Sequence, residues 1–335
     1  MVGRSDNALW LGWRVAQAAR VQPMELVLIR DQAGDADVLR EVAIAVEQAG
    51  ATPLIELCAP GHLAQVLNSA PPSYLEAYDA HRRELLQRCQ RVITLDAGAL
   101  EAVSASPEAL ELWSQAQRRL EELEASLQLP HVLVAVPTAE TAALLGQPLS
   151  TLQETLERAQ RATLFELESR IDRLRFKGRD ARTISLRTRE GALLRCSIKP
   201  ESWRWDDGYV DPEDVERGTL LACLPAGAVY VDVLSDSAEG TLVLEQMHLH
   251  FAGGAVARVE SSHYPSLGEA TALGARLMRI QIGSNPFLHE PIGWSLIDQH
   301  VNGAVTLDFG EHPLGEVTLH GNIAVWFDDW QAIGY

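Results

Sequence analysis

Two histidines separated by one residue are the first side chains whose spacing could support chemistry. His248 and His250 stand at positions i and i+2 of a segment that alternates like a β-strand, so both imidazoles are expected on one face. Two imidazoles so placed can chelate a metal ion, although a pair on a solvent-facing strand does so rarely. Further histidines and acidic residues crowd the last quarter of the chain, in a spacing that fits no standard ligand set: His263, His300, His312, His320, Asp298, Asp308, Glu311 and Glu316.

Other catalytic signatures are missing from the sequence. It contains no glycine-rich phosphate loop, no G-x-S-x-G motif and no H-E-x-x-H motif, so nucleotide transfer, serine hydrolysis and zincin chemistry have no support. The four cysteines match neither a zinc knuckle nor a redox pair and are interpreted as small buried hydrophobes: Cys58, Cys89, Cys196 and Cys223.

A segment rich in acidic and aromatic residues, over 201–216, follows neither the helical nor the strand period. One interpretation is a solvated loop whose indoles, Trp203 and Trp205, pack back onto the protein. The other is a mobile loop whose aromatics contact a ligand, because tryptophan is enriched at binding hot spots. Both tryptophans are therefore kept as binding candidates.

The composition narrows the class of protein. The chain has 335 residues and a formal charge of −18, so a nucleic acid backbone would be repelled. A hydrophobic content of 47% with 22% charged residues is typical of a packed globular protein. No apolar run approaches the length that spans a bilayer, and the run from Ala8 to Trp13 is a poor secretory signal. We therefore expect a cytoplasmic protein with no membrane partner.

The first half of the chain alternates short apolar runs with helical periodicity, the pattern of a parallel sheet covered by helices. Asp35 is placed to cap a helix that ends at Gly50, and helical patterns near 72–89 and 107–127 supply later crossovers. The runs that predict buried strands span residues 25–29, 53–57, 91–95 and 131–136.

Past residue 150 the pattern changes. One long amphipathic helix is predicted first, then a period of two with a hairpin at Glu190-Gly191 and a helix around Glu269 to Met278. The fold class predicted is α/β plus α+β, with three parts: an open parallel α/β domain over 1–149, a connecting helix over 150–176, and a β-rich, mainly antiparallel domain over 177–335.

Several motifs in this second half resemble those of a known superfamily. Leu224-Pro-Ala-Gly-Ala-Val-Tyr230, Ile282-Gly-Ser-Asn-Pro286 and the segment from Asp298 to Gly310 follow one another in the order found in metallopeptidases of the aminopeptidase T or S type. The iron-dependent 2,5-dihydroxypyridine dioxygenases are related to these peptidases. The resemblance implies their two-domain layout over most of the chain.

The departures from the family pattern fall on the metal ligands. Ala228 and Arg279 stand where the resemblance places glutamates, Thr306 stands where it places a histidine, and Asn322 replaces an aspartate. Only His320 survives among the expected ligands. Because metals that activate water need several carboxylate or imidazole ligands, we expect no metal, no cofactor and no catalytic residue at this vestigial site.

The resemblance implies a retained binding role. Its members accept peptide N-termini or small aromatics between their domains, and truncated relatives of the dioxygenases occur with crocagin-type ribosomal peptides. We therefore expect a non-catalytic accessory protein that binds a precursor (leader) peptide and guides the modifying enzymes of that pathway. The residues expected to bind the peptide are Arg279, His320, Asn322, Trp203 and Trp205.

Two alternatives stay open. One is an iron-dependent dioxygenase with a relocated ligand set such as His263, His320 and Asp308, and the other is a metalloaminopeptidase with a rearranged site. Under each of these interpretations, analogy with the family and the open sheet edges predict that the protein is a homodimer.

Overall fold

The chain folds into two compact units. The computed structural model describes residues 4–98, 104–189, 191–244, 247–261, 272–310, 312, 314–328 and 330–333. Unit 1 comprises Met1–Gln160 and Gly208–Pro225, and unit 2 comprises Arg161–Asp207 and Ala226–Tyr335. The segment Gly208–Pro225, predicted in the second domain, thus belongs to the first.

Unit 1 is an open parallel sheet with helices, which confirms the predicted α/β class. Sheet A has the order β2-β1-β3-β4-β8 and every neighbouring pair is parallel. Numbered along the whole chain, its strands are β1 (Leu26–Asp31), β2 (Thr52–Leu57), β3 (Arg91–Asp96), β4 (His131–Ala135) and β8 (Leu221–Leu224). Its helices are α1 (Arg4–Ala18), α2 (Ala36–Gln48), α3 (Pro60–Ser69), α4 (Pro72–Glu76), α5 (Ala80–Leu86), α6 (Pro107–Leu127), α7 (Ala139–Leu144), α8 (Leu149–Gln160) and α10 (Pro212–Glu216).

The central strands are apolar on both faces because both faces are covered. On one face Val27 and Ile29 pack with the apolar sides of α1 and α2, and on the other Leu28 and Val92 pack with Leu86. Residues buried on both sides explain why these strands are continuous apolar runs rather than alternating ones.

Two predicted helices are interrupted in the structure. The pattern near 72–89 contains the short helices α4 and α5, and Asp79 between them bonds Arg119 of α6 through both carboxylate oxygens, at 2.6 and 2.9 Å. The connecting helix predicted over 150–176 is also two helices, because Thr163 and Glu166 form a capping box that starts a new helix. The prediction of a single long helix was wrong.

Unit 2 is mainly antiparallel, as predicted. Sheet B has the order β12-β11-β10-β6-β5-β16-β17 and sheet C the order β15-β14-β13-β9-β7. The strands are β5 (Thr183–Thr188), β6 (Leu193–Ser197), β7 (Arg204–Asp206), β9 (Ala228–Asp232), β10 (Glu239–Leu244), β11 (Met247–Ala252), β12 (Ala255–Ser261), β13 (Arg279–Gly283), β14 (Val305–Asp308), β15 (Glu316–Leu319), β16 (Ile323–Phe327) and β17 (Trp330–Ile333). Among its described residues, unit 2 also contains helices α9 (Leu164–Gly178) and α11 (Ser295–Asp298) and a 3₁₀ turn, Pro200–Ser202.

One core fills unit 2. Alternate residues of sheets B and C, such as Leu186 and Val325 from sheet B and Val231 and Ile280 from sheet C, join one apolar cluster with the inner side of α9. The opposite face of sheet C is therefore left to polar side chains. Of the helix predicted around Glu269 to Met278, the part from Ala272 onward is described. Ala272 is helical, but residues 273–278 form a turn and an extended segment in which Arg276 makes a β-bridge with Ala255, so the prediction of a helix as far as Met278 was wrong.

The cysteines are free thiols, and Cys89, Cys196 and Cys223 are buried. Burial raises the pKa of the half-buried Cys58 thiol to about 12, so this thiol stays protonated near neutral pH. Within the described residues, no helix combines the length and apolar character that crossing a bilayer requires.

A polar network ties α6 to sheet A. Arg30 Nη2 lies 2.7 Å from Glu124 Oε2, His131 Nδ1 lies 3.1 Å from Glu124 Oε1, and His131 Nε2 lies 2.8 Å from the Thr94 hydroxyl. Burial opposes ionisation of Glu124, but the hydrogen bond from His131 and the charge of Arg30 outweigh it and lower its pKa to about 2. The ionised carboxylate therefore stabilises the fold.

We expect Glu124→Gln to lower the free energy of unfolding near neutral pH by about 3 kcal/mol, from the size of the pKa shift. The folded pKa lies below the ordinary value of 4.5, so the contribution is complete above pH 4.5 and disappears as the pH falls towards 2. Urea unfolding of both proteins from pH 7 to pH 2.5 measures this. Glu122→Gln, at an exposed position of the same helix, is the control, and equal pH slopes for the two variants would contradict the assignment.

Candidate functional site

The polar face of sheet C brings three of the vestigial positions together. Ala228 on β9 pairs with Gly283 on β13. Arg279 lies four residues before Gly283 on the same strand, and it pairs with Asp232 on β9 and with Asp308 on β14. Thr306 precedes Asp308 by two residues on β14, so all these side chains lie on the same face. The structure thus brings Ala228, Arg279 and Thr306 to one face of sheet C.

Arg279 forms ion pairs with carboxylates of both neighbouring strands on this face. Its Nε lies 3.2 Å from Asp232 Oδ1 and its Nη1 lies 4.0 Å from Asp308 Oδ2. Asp232 is shared with Arg204, whose Nη2 lies 2.7 Å from Oδ2, and Tyr230 lies beside both guanidinium groups. The carboxylates closest to the position of the missing glutamate are therefore compensated by fixed cations.

The other two replaced positions offer little to a cation. Ala228 is fully buried and its methyl group has no ligand atom. Thr306 is buried as well, and its hydroxyl lies 2.9 Å from that of Thr318 on β15, so the two hydroxyls hydrogen-bond to each other. These residues fit a packed sheet face and do not fit a metal centre.

His320 and Asn322 lie beyond the end of β15. His320 is half-buried, and Asn322 is exposed in the turn before β16, where its backbone carbonyl accepts from the Arg189 N–H at 3.2 Å. Their predicted contact with a peptide stays a prediction. The relocated set that includes His263 involves a residue outside the described part of the chain.

Two described histidines of the last quarter, His300 and His312, have separate partners. His300 is buried against Asp206, while His312 Nε2 lies 3.3 Å from the Leu273 carbonyl. Among the described residues of unit 2, no three imidazole, thiol or carboxylate ligand atoms converge. On β11, His250 Nδ1 bonds the Thr241 hydroxyl at 3.1 Å, while His248 faces solvent.

Residues of the motifs that carry the family resemblance make contacts with backbone groups that hold neighbouring segments of unit 2 together. Asn285 Nδ2 donates to the Ala226 carbonyl at 2.6 Å, and the Ser284 N–H donates to the Gly227 carbonyl at 2.8 Å. Gly283 packs against the backbone around Val301 so closely that a Cβ would lie 2.2 Å from the Val301 oxygen. These residues fix the junction of β9 and β13, which explains how the motifs can persist without the ligands.

Asp206 and His300 form a buried pair that the sequence did not reveal. His300 Nδ1 lies 2.9 Å from the Leu296 carbonyl, so this nitrogen donates, and Nε2 lies 2.9 Å from Asp206 Oδ2. His300 appeared in the histidine-rich quarter, but Asp206, 94 residues away, had no pattern that pointed to it.

Trp203 and Trp205 pack onto the core of unit 2. The Trp203 ring meets Phe327 edge to face at 5.3 Å, and the Arg175 guanidinium stacks over Trp205 at 3.7 Å. Trp205 lies within β7, so the expectation of a loop without strand structure was wrong at this point. The interpretation in which the indoles pack back on the protein agrees with these contacts, and peptide binding by either indole stays a prediction.

Comparison with solved structures shows which fold this is. AmpT of Thermus thermophilus superposes with a TM-score of 0.70 and 13% identity, covering 98% of this chain and 97% of its own. The 2,5-dihydroxypyridine dioxygenase of Pseudomonas putida KT2440 superposes with a TM-score of 0.62 and 12% identity, covering 99% and 96%. No protein-family model and no curated protein sequence matches the chain. The chain has the fold of these two proteins over almost its whole length, and that fold is what the likeness establishes.

Proposed function

We propose that this protein binds a peptide without metal-dependent turnover, as an accessory protein in the biosynthesis of a ribosomally made, modified peptide. In this role it presents the precursor to modifying enzymes. The fold likeness to a peptidase supports a peptide ligand, and the crocagin-type role rests on the sequence resemblance. Fold alone does not decide function, so the residues of the site carry the argument.

The single observation that carries the proposal is the ion-pair network of Arg279. A guanidinium stands where the family pattern has a glutamate, and it pairs with Asp232 and, more distantly, with Asp308. A divalent cation there would be repelled by Arg279 and would find no ligand on Ala228. On this face the positive charge of Arg279 would thus take the place of a bound metal ion.

The second candidate is a metal-dependent dioxygenase or aminopeptidase with a rearranged site. The observation in its favour is the fold, because both structural neighbours are enzymes of these kinds. It would need ligands other than the replaced ones.

We expect the purified protein, after incubation with Fe²⁺, Zn²⁺ or Co²⁺ and desalting, to retain no stoichiometric metal by elemental analysis. Arg279→Glu should increase retention, because it adds a carboxylate beside Asp232 and Asp308. The matched control is Arg276→Glu, since Arg276 pairs with the exposed Asp236. One tightly held transition metal per wild-type chain would contradict the proposal and favour the second candidate.

A further inference from the structure

The outer face of sheet B carries two histidines and a glutamate on neighbouring strands. His248 and His250 alternate on β11 with Leu249, which is fully buried in the core of unit 2, so both imidazoles lie on the face away from that core. On β12, Glu260 is the direct cross-strand partner of His248. Side chains in such a pair have Cβ atoms about 4.5–5.5 Å apart. Three side chains that can bind a metal therefore share one small patch of this face.

The contacts of His250 favour a cation beside its ring. Nδ1 lies 3.1 Å from the Thr241 hydroxyl, while Nε2 lies 3.3 Å from Glu260 Oε2. Nε2 is buried and, within the described residues, is not aligned for a hydrogen bond. When Nδ1 donates to Thr241, the lone pair of Nε2 faces a carboxylate, and a cation bound to both atoms removes their repulsion. The Thr241 hydroxyl then fixes the ring, which is how metal-bound imidazoles are usually oriented.

The separation of these two atoms suits one zinc ion. Zn–N and Zn–O bonds are about 2.0–2.2 Å long, so two ligand atoms at a tetrahedral angle lie about 3.3–3.5 Å apart. His250 Nε2 and Glu260 Oε2 already have this separation. His248 is exposed and, in the described part of the chain, its ring has no hydrogen bond, so it can turn towards the same point. Same-face residues of a strand stand about 7 Å apart, a distance that two imidazoles on one ion can span.

Arg258 competes with a cation for the glutamate. Its Nη2 lies 2.7 Å from Glu260 Oε1, and Arg258 is the direct cross-strand partner of His250. The Arg258 and Glu260 side chains are 65% and 50% exposed, and an ion pair so exposed contributes little to stability. Arg279 stands at a ligand position between two carboxylates, whereas Arg258 can move into solvent. The exposed ion pair therefore weakens a metal site here without excluding it.

We propose that His248, His250 and Glu260 bind one Zn²⁺ ion on the outer face of sheet B and thereby clamp the terminal strand β12 to β11. Two imidazoles and one carboxylate suit zinc, and the fourth position is left to water. This site is independent of the proposed peptide binding and of the vestigial site, because sheet C contributes no ligand to it. An ion at so exposed a position exchanges readily and is lost on desalting.

Zinc binding to the full chain is measured by competition with a zinc-sensitive dye at physiological salt. We expect a single site with a dissociation constant in the micromolar range. His248→Ala and Glu260→Gln each remove one of the three ligands and should weaken binding about tenfold or more. His289→Ala is the matched control, because His289 is another exposed histidine beside an acidic residue, and it should leave the affinity unchanged.

Two further variants test the surroundings of the ion. Arg258→Gln frees Glu260 and removes a positive charge beside the site, so zinc should bind several-fold more tightly. Thr241→Val should weaken binding about tenfold, because the His250 ring loses the partner that orients it.

Hydrogen exchange tests the clamp itself. At a free zinc concentration ten times the dissociation constant, amides of β12 that exchange through opening of the β11–β12 pair should exchange about tenfold more slowly. His248→Ala should abolish this protection.

The outcomes decide between a metal site and a surface ion-pair cluster. Absence of zinc binding, or equal binding by wild type, His248→Ala and Glu260→Gln, would overturn the inference. Weaker binding by Arg258→Gln would also count against it, because the arginine would then support the site instead of competing with it. If zinc binds but the exchange of the β12 amides is unchanged, the ion lies elsewhere and the inference is wrong.

Discussion

Replacing Gly283 by alanine is expected to destabilise unit 2 by about 3 kcal/mol, because the added methyl group has no space. A Cβ at this position would lie 2.2 Å from Val301 O and 2.9 Å from Gln299 O. These are backbone atoms, and the segment cannot retreat easily, since the Asn285 N–H donates to His300 O at 3.0 Å. Relief would require breaking the junction that the Gly-Ser-Asn motif maintains.

Gly61→Ala is the matched control. Gly61 lies in the first turn of α3 without a left-handed backbone conformation, and no atom lies within 4 Å of the place that an added methyl group would occupy. Alanine there should raise the free energy of unfolding by about 0.5–1 kcal/mol. Urea unfolding of the three proteins measures both effects. A Gly283→Ala protein as stable as wild type would show that the backbone around Val301 can move.

Asp206→Ala is expected to cost about 1–3 kcal/mol of unfolding free energy, the usual result of leaving a buried hydrogen-bonding group without its partner. The His300 side chain is 1% exposed and that of Asp206 is 6% exposed, so solvent cannot replace the lost carboxylate. His300 Nδ1 keeps its bond to Leu296 O, and Nε2 would be left without its partner. The second variant, Asp206→Ala with His300→Leu, should recover part of the loss because it removes both polar partners.

The control for this prediction is Asp236→Ala. Asp236 and Arg276 are also close, at 2.7 Å, but their side chains are 81% and 49% exposed. Exposed pairs contribute about 0–1 kcal/mol, so little change is expected. Thermal and urea unfolding compare the two variants, and similar losses would mean that burial does not set the strength of the Asp206–His300 pair.

The sequence predicted β1, β2, β3 and β4 of sheet A well because these strands are short apolar runs. It did not predict the break between α8 and α9, since the apolar period of the two helices stays nearly in phase across residues 161–163. The signal was present as Thr163 followed by Glu166, a capping box within an apparently continuous helix. β8 was missed because a strand of four residues, far along the chain, carries too little pattern to show which sheet it joins.

The vestigial site was predictable in part. The motifs identified Ala228, Arg279 and Thr306 as replaced ligand positions, and the structure brings these three residues to one face of sheet C. The partners of Arg279 could not be predicted, because Asp232 and Asp308 reach it through the cross-strand register, which depends on turns and bulges far from these residues. For the same reason nothing in the sequence connected Asp206 with His300.

The route of the chain through its two units limits how such a protein can be divided or inherited. A fragment that ends at Gln160 lacks β8, which pairs with β4 from His131 to Val134, so it would leave a buried strand with an open edge. No single cut of the gene yields a complete unit 1. Simple truncation or end-to-end fusion therefore cannot transfer unit 1 as an intact domain. A stand-alone unit 1 would have to be built by joining residue 160 to residue 208 through a designed linker.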